Sequence, residues 1–171
     1  MIEKTAPPPG TTIPGTTTED ADSFAHVLAG GRRLIGIDAG TKTLGLALSD
    51  VTRTIASPLE TIIRRKFSDD VIRLFQLTDE HKVTGLVLGF PRNLDGTEGP
   101  RAQATRALAR NLNKLSHLPI LLWDERLTTA MAERMLIDAD QSRKRRAEVI
   151  DKLAATVILQ SALDRLRQIA R

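Results

Sequence analysis

The apolar residues of this chain follow two different periods, and the switches between them mark out its elements. From Arg33 onward, "LIGIDAG" and "TLGLALSD" are short apolar runs joined through Gly40, Thr41 and Lys42, the spacing of an antiparallel hairpin. Residues 56–62 predict a third strand. The period then lengthens. "SDDVIRLFQLTDEHK" carries Val71, Ile72, Leu74, Phe75 and Leu77 behind Ser68, which predicts a first helix with that serine as its N-cap. "GLVLGFP" is a continuous apolar run stopped by proline, as expected of a strand buried on both faces. Residues 98–115 predict a second helix, "PILLWDE" a fifth strand, and residues 128–138 and 148–167 two more helices. The order βββαβαβαα predicts a single α/β domain, a five-stranded mixed sheet flanked by helices.

The first 31 residues do not fit that alternation. "APPPGTTIPGTTTEDADS" is Pro, Gly and Thr with almost nothing to bury, so residues 1–31 read as an extension, disordered up to about Ser23, with "FAHVLAGG" forming a short anchoring turn. The domain is then expected over residues 32–171. Removing the extension changes the charge picture: 24 basic and 17 acidic residues remain, a formal +7 against +4 for the whole chain. Such a balance suits a polyanionic partner. There is no cysteine, which excludes disulfides and cysteine-ligated metals and is compatible with the cytoplasm. No apolar run approaches the roughly 20 residues of a spanning helix, and the N-terminus lacks the charged-then-apolar order of a secretory signal, so a soluble protein without membrane partners is expected.

Three acidic residues stand out against this frame. Asp38 ends the first predicted strand, where an aspartate alone could simply accept hydrogen bonds from the following turn. Glu125 ends the fifth, directly after Trp123 and Asp124, where it could equally be a solvated partner of Arg126. Asp151 is harder to explain as scaffold: Ala154, Ala155 and Ile158 follow at i+3, i+4 and i+7, so its stripe is small and apolar, although a first-turn aspartate can also merely cap. A carboxylate on a packing face costs several kcal/mol unless paired or metal-bound. The alanines would let this helix approach the sheet closely. If the three acids converge at one sheet edge, their repulsion calls for a hard divalent cation, and Mg²⁺ or Mn²⁺ matches an all-oxygen donor set. Two such ions about 4 Å apart could support phosphodiester hydrolysis. His26, His81 and His117 have no zinc-ligand spacing.

"GIDAGTKTLGLALSD", "GFPRNLDGTEGPRAQ", "WDERLTTAMAERML" and "VIDKLAATVILQSALD" resemble the four signature segments of the Holliday-junction-resolvase-like, pre-16S rRNA nuclease family. Four ordered segments over residues 33–166 make the resemblance specific. It implies an RNase H-like fold and a bacterial cytoplasmic nuclease with a carboxylate and divalent-metal site, acting in 5′-end maturation of small-subunit ribosomal RNA. It also implies catalytic and metal-holding roles for Asp38, Glu125 and Asp151. Ala39 is smaller than the residue often found there in the family, and the proline-threonine extension lies outside the pattern. Adjacent strand residues point to opposite faces, so only one of Asp124 and Glu125 can join Asp38; the resemblance favours Glu125.

Further residues suit a nucleic-acid substrate. Lys42 in the turn after Asp38, Arg92 and Asn93 in the Gly- and Pro-rich loop after the fourth strand, and Arg126, Thr128 and Thr129 after Glu125 are candidate phosphate contacts. Each has a plainer alternative, an exposed lysine or a capping threonine. Arg106, Arg110 and Lys114 form a basic stripe on the second helix that reads by default as a solvated face, and "SRKRRAE" places four positive charges just before Asp151. With no tyrosine and one tryptophan, shape and backbone recognition fits better than base stacking. The expected partner is structured precursor RNA or branched DNA, with association to ribosome-assembly particles. Two other classes compete: an actin-like ATPase or sugar kinase, whose phosphate loop also has an aspartate followed by glycine and threonine but which needs two such domains, and a non-catalytic RNA-binding assembly factor.

Overall fold

The computed structural model describes residues 15–28, 30–128 and 143–171, with side chains described for all of these except 143–152. Strands β1 (Thr17–Thr18), β2 (Arg33–Ala39), β3 (Thr43–Ser49), β4 (Ala56–Ile63), β5 (Val83–Phe90) and β6 (Ile120–Asp124) form one sheet in the order β1-β6-β5-β2-β3-β4. The meander β2-β3-β4 is antiparallel, whereas β5 and β6 run parallel to β2, each reached through a helix. The short turn Gly40–Lys42 closes the first hairpin, with Gly40 N–H donating to Thr43 O at 2.9 Å. Helices α2 (Phe67–Glu80) and α3 (Pro100–Leu115) supply the crossovers, and the long α4 (Arg143–Ile169) covers the other face.

Strand alternation divides the core into two layers. Ile35, Ile37, Leu86, Leu88, Ile120 and Leu122 point to α2 and α3, packing with Val71, Leu74, Leu108 and Leu112. Leu34, Val87, Leu121 and Trp123 point the other way, to Ala155, Ile158, Leu159 and Ala162 of α4. The expected close approach of α4 is present: a Cβ on Gly36 would lie 2.6 Å from Leu159 Cβ and 3.0 Å from Ala155 O. The Gln160 side chain bonds Ala56 N–H and Thr54 O, beside the start of β4, so α4 runs antiparallel to β2 and its turn bearing Asp151 continues toward the Asp38 end.

Three expectations are corrected. The sheet has six strands among the described residues rather than five, because Thr17–Thr18 adds a parallel strand to the edge of β6. Residues 15–23, expected to be disordered, take up structure: Ile120 N–H donates to Thr16 O at 2.8 Å, and helix α1 (Ala21–Val27), N-capped by Asp20, buries Phe24 completely. A two-residue strand has no period to read, and its stability comes from the edge it covers. Ser68 is not an N-cap; α2 starts two residues earlier, after Lys66, and the buried Asp70 accepts from Arg65 N–H at 3.1 Å. Ile72 of that helix is exposed. The helix expected at 128–138 and the basic run 142–148 lie outside the residues whose side chains are described.

Candidate active site

Parallel β2, β5 and β6 end side by side, and the site lies at their C-terminal ends, where open α/β sheets bind ligands. The last paired positions of β2 and β5 are Ile37 and Leu88, so Asp38 and Gly89 are the next residues along each strand. Gly89 in turn pairs with Trp123 of β6. Alternation puts Asp38, Gly89 and Trp123 on the α4 face of the sheet and Asp124 on the opposite face, and Glu125, one residue past β6, lies against Gly89 on the α4 face. The chain leaves β6 in a 3-10 turn, Glu125–Leu127, whose N-cap is Asp124.

Gly89 makes room for the acid. A Cβ there would lie 2.7 Å from Glu125 Oε1 and 2.5 Å from Ile158 Cδ1, so a larger residue would push the carboxylate from its place across the end of β5. Held there, the Glu125 carboxyl is pushed up to about 7, first by burial, then by the negative charge of Asp38; Arg101 pulls it down and Asp124 adds to the rise. Asp38 itself is part-buried. A carboxyl raised by a neighbouring carboxylate is poised for a cation, and the donors of both acids are the hard oxygens that Mg²⁺ and Mn²⁺ prefer. Among the described residues there is no cluster of three metal-ligating side chains, the Asp151 side chain being outside them.

Asp124 has a different occupation. It takes Arg126 in a forked pair, Nη2 at 2.6 Å and Nε at 3.0 Å, and accepts from Arg126 N–H as well. The guanidinium holds its carboxyl below the usual aspartate range.

The candidate phosphate contacts separate in the same way. Lys42 is exposed in the turn beside Asp38. Arg92 is engaged by Glu19 at 2.5 Å, and Arg106 by Glu19 at 2.8 Å and Glu98 at 2.5 Å, with both guanidinium groups over the Phe90 ring. Asn93 closes its own loop, Nδ2 donating to Thr97 Oγ1 and N–H to Thr97 O. Thr128 is buried and its hydroxyl donates to Glu125 O at 2.7 Å, closing the C-terminal end of the 3-10 turn. Thr129 lies outside the described residues. Sequence reasoning passed over Gly89, Arg101 and Glu19. The first two carry a signal: a glycine one residue before a strand end marks a close approach, and a cation in the first turn of a helix opposes the dipole.

A meander joined to parallel strands, helices on both faces and acids at adjoining strand ends define an RNase H-like α/β domain. The chain belongs to the family described as RuvX, Holliday junction resolvase, which matches residues 32–165. It is 56% identical over 153 residues to a protein of Paracoccus denitrificans named "Putative pre-16S rRNA nuclease", covering 90% of this chain and 97% of the relative. A protein of the same name from Methylocella silvestris is 59% identical over 138 residues, 81% of this chain and 86% of the relative. The fold is also that of the yeast mitochondrial Holliday junction resolvase Ydc2, at 12% identity and a TM-score of 0.52, over 88% of this chain and 85% of that one.

Proposed function

We propose that this protein is a divalent-metal-dependent nuclease that hydrolyses a phosphodiester bond in 5′-end maturation of the 16S ribosomal RNA precursor, in the cytoplasm and on assembling small subunits. The observation that carries the chemistry is the coupling of Asp38 to a Glu125 whose carboxyl is pushed up to about 7. The relatives' shared name supports the RNA substrate, and the basic domain suits a polyanion.

Asp38 and Glu125 would hold Mg²⁺ or Mn²⁺, with Asp151 as third ligand from the α4 turn directed to that end. A bound divalent ion supplies an activated water and neutralises charge on the departing oxygen. Gly89 leaves open the space that the Glu125 carboxylate occupies beside the end of β5. Trp123 and α4 keep the floor of the site apolar, which strengthens every charge interaction above it. Lys42, at the open side, is placed to draw in the phosphodiester.

The test is cleavage of 16S precursor RNA and of a four-way DNA junction side by side, with Mn²⁺ or Mg²⁺ and with Asp38→Asn as control. RNA cleavage lost in the mutant is the expected result. The family description favours one second reading, resolution of branched DNA, and junction cleavage alone would establish it. Binding without cleavage of either substrate by the unmutated protein would leave an assembly factor.

A further inference from the structure

The arginines around the carboxylate pair fall into two groups. Arg92, Arg106 and Arg126 are each bound to a carboxylate, so a phosphate would have to displace Glu19, Glu98 or Asp124 to reach them. Arg101 differs. It is exposed on the first turn of α3 and, among the described residues, has no carboxylate within ion-pair distance, acting on Glu125 only through space. A cation at the positive end of a helix is held against the dipole, and α3 has no acidic residue in its first turn to compensate. An anion arriving there would be attracted by both.

A recess of about 80 Å³ with Arg101 in its lining lies between the β2-β3 turn and α3. Its lining contains two arginines, Arg64 and Arg101, the hydroxyl residues Thr41 and Thr105, and no carboxylate. Ala39 and Gly40, which follow Asp38 directly, form one wall. Arg64 is anchored rather than neutralised: Nη1 donates to Gly40 O at 2.6 Å, a carbonyl that leaves the full positive charge in place. Two arginines in the lining of one recess, with no carboxylate among the other lining residues, favour an anion there.

We infer that this recess is a phosphate seat, in which Arg101 and Arg64 hold a backbone phosphate of the nucleic acid next to the bond presented to Asp38 and Glu125. The position relative to the bond rests on the proposed nuclease reading; the seat itself does not. It adds a binding role for "GPRAQ", and it replaces Arg92 and Arg126 as the cations of the site.

The test reads binding without turnover. Fluorescence anisotropy of a labelled 16S precursor RNA is followed against KCl concentration, in EDTA, on an Asp38→Asn background. Each phosphate contact to single-stranded or duplex nucleic acid contributes about 0.7–0.9 to the slope of log K against log salt. Arg101→Ala is expected to reduce the slope by that amount and Arg101→Lys to restore it. Arg64→Gln, which keeps a donor for Gly40 O, should reduce it likewise. Arg110→Ala removes the same charge from the opposite side of α3 and should leave the slope unchanged. An unchanged slope in Arg101→Ala, or an equal fall in Arg110→Ala, overturns the seat. Metal-dependent cleavage by the unmutated protein decides the nuclease reading separately, so either can fail alone.

Discussion

Gly89 and Glu125 are matched in shape: the space where a Cβ of residue 89 would be is taken by Glu125 Oε1, 2.7 Å from that point. The strand therefore gives up a side chain so that the next strand's acid can reach Asp38. Gly36 also has no room for a Cβ, but its neighbours are Leu159 and Ala155 of α4, which makes it a packing glycine.

Gly89→Ala and Gly36→Ala should thus separate function from stability. Gly36→Ala meets Leu159 Cβ and a backbone carbonyl and should cost about 1–3 kcal/mol, whereas Gly89→Ala meets the ends of two flexible side chains and should cost less. Only Gly89→Ala should in addition lower metal-dependent cleavage, by at least about tenfold, since a displacement of about 1 Å at a reacting centre can cost a hundredfold. Urea melts and cleavage rates of the two variants check this; equal rate losses would contradict it.

The two neighbouring acids should respond in opposite ways. Glu125→Gln is expected to abolish cleavage by at least about a hundredfold, because even the outer partners of a metal site are worth about 10–100-fold. Asp124→Asn loosens the Arg126 fork and should cost less than about tenfold. Parallel titrations of Mn²⁺ against both variants would show loss of binding in the glutamine variant alone.

The Glu125 carboxyl, raised to about 7 from 4.5, predicts a pH dependence of stability. The folded protein holds a proton there that the unfolded chain releases near pH 4.5, so this contribution is fully present below about pH 4.5 and is lost as pH rises through about 7. At about 1.4 kcal/mol per pKa unit, the loss is at most about 3 kcal/mol. Urea unfolding in EDTA between pH 5 and pH 8 should show it, and Glu125→Gln should flatten the curve.

A divalent ion should reverse that trend. Binding requires ionised carboxylates, so Mn²⁺ affinity is expected to rise as pH passes through about 7, with release of a proton. Thermal melts with and without Mn²⁺ at pH 6 and pH 8 would show the larger upward shift at pH 8. A shift that did not grow with pH would remove Glu125 from the ligand set.

The link from Glu19 to Arg92 and Arg106 ties the extension to the loop after β5. These groups are part-exposed, so Glu19→Ala should lower Tm by only about 1–3 °C, and the difference should vanish in 1 M salt. A loss that persisted in high salt would indicate packing rather than charge.

What the sequence determined by itself was everything local in period. β2, β3 and β5 are apolar runs that only a buried strand accommodates, α3 keeps Leu108 and Leu112 on one face, and the acids stand at strand ends, where a chain can spare a polar group. The four signature segments then carried the family. Tertiary structure decided the choices that depend on neighbours far along the chain. Asp124 and Glu125 are both acids at a strand end, and only the sheet's facing and the Arg126 fork separate them. Thr17–Thr18 becomes a strand because β6 has an open edge, not because threonines demand it. Arg92 and Arg101 look alike as letters, but Glu19 is ion-paired to the first, whereas the second acts on Glu125 only through space. Charge and hydrogen-bond partners are set by distance in space, which a linear pattern does not contain.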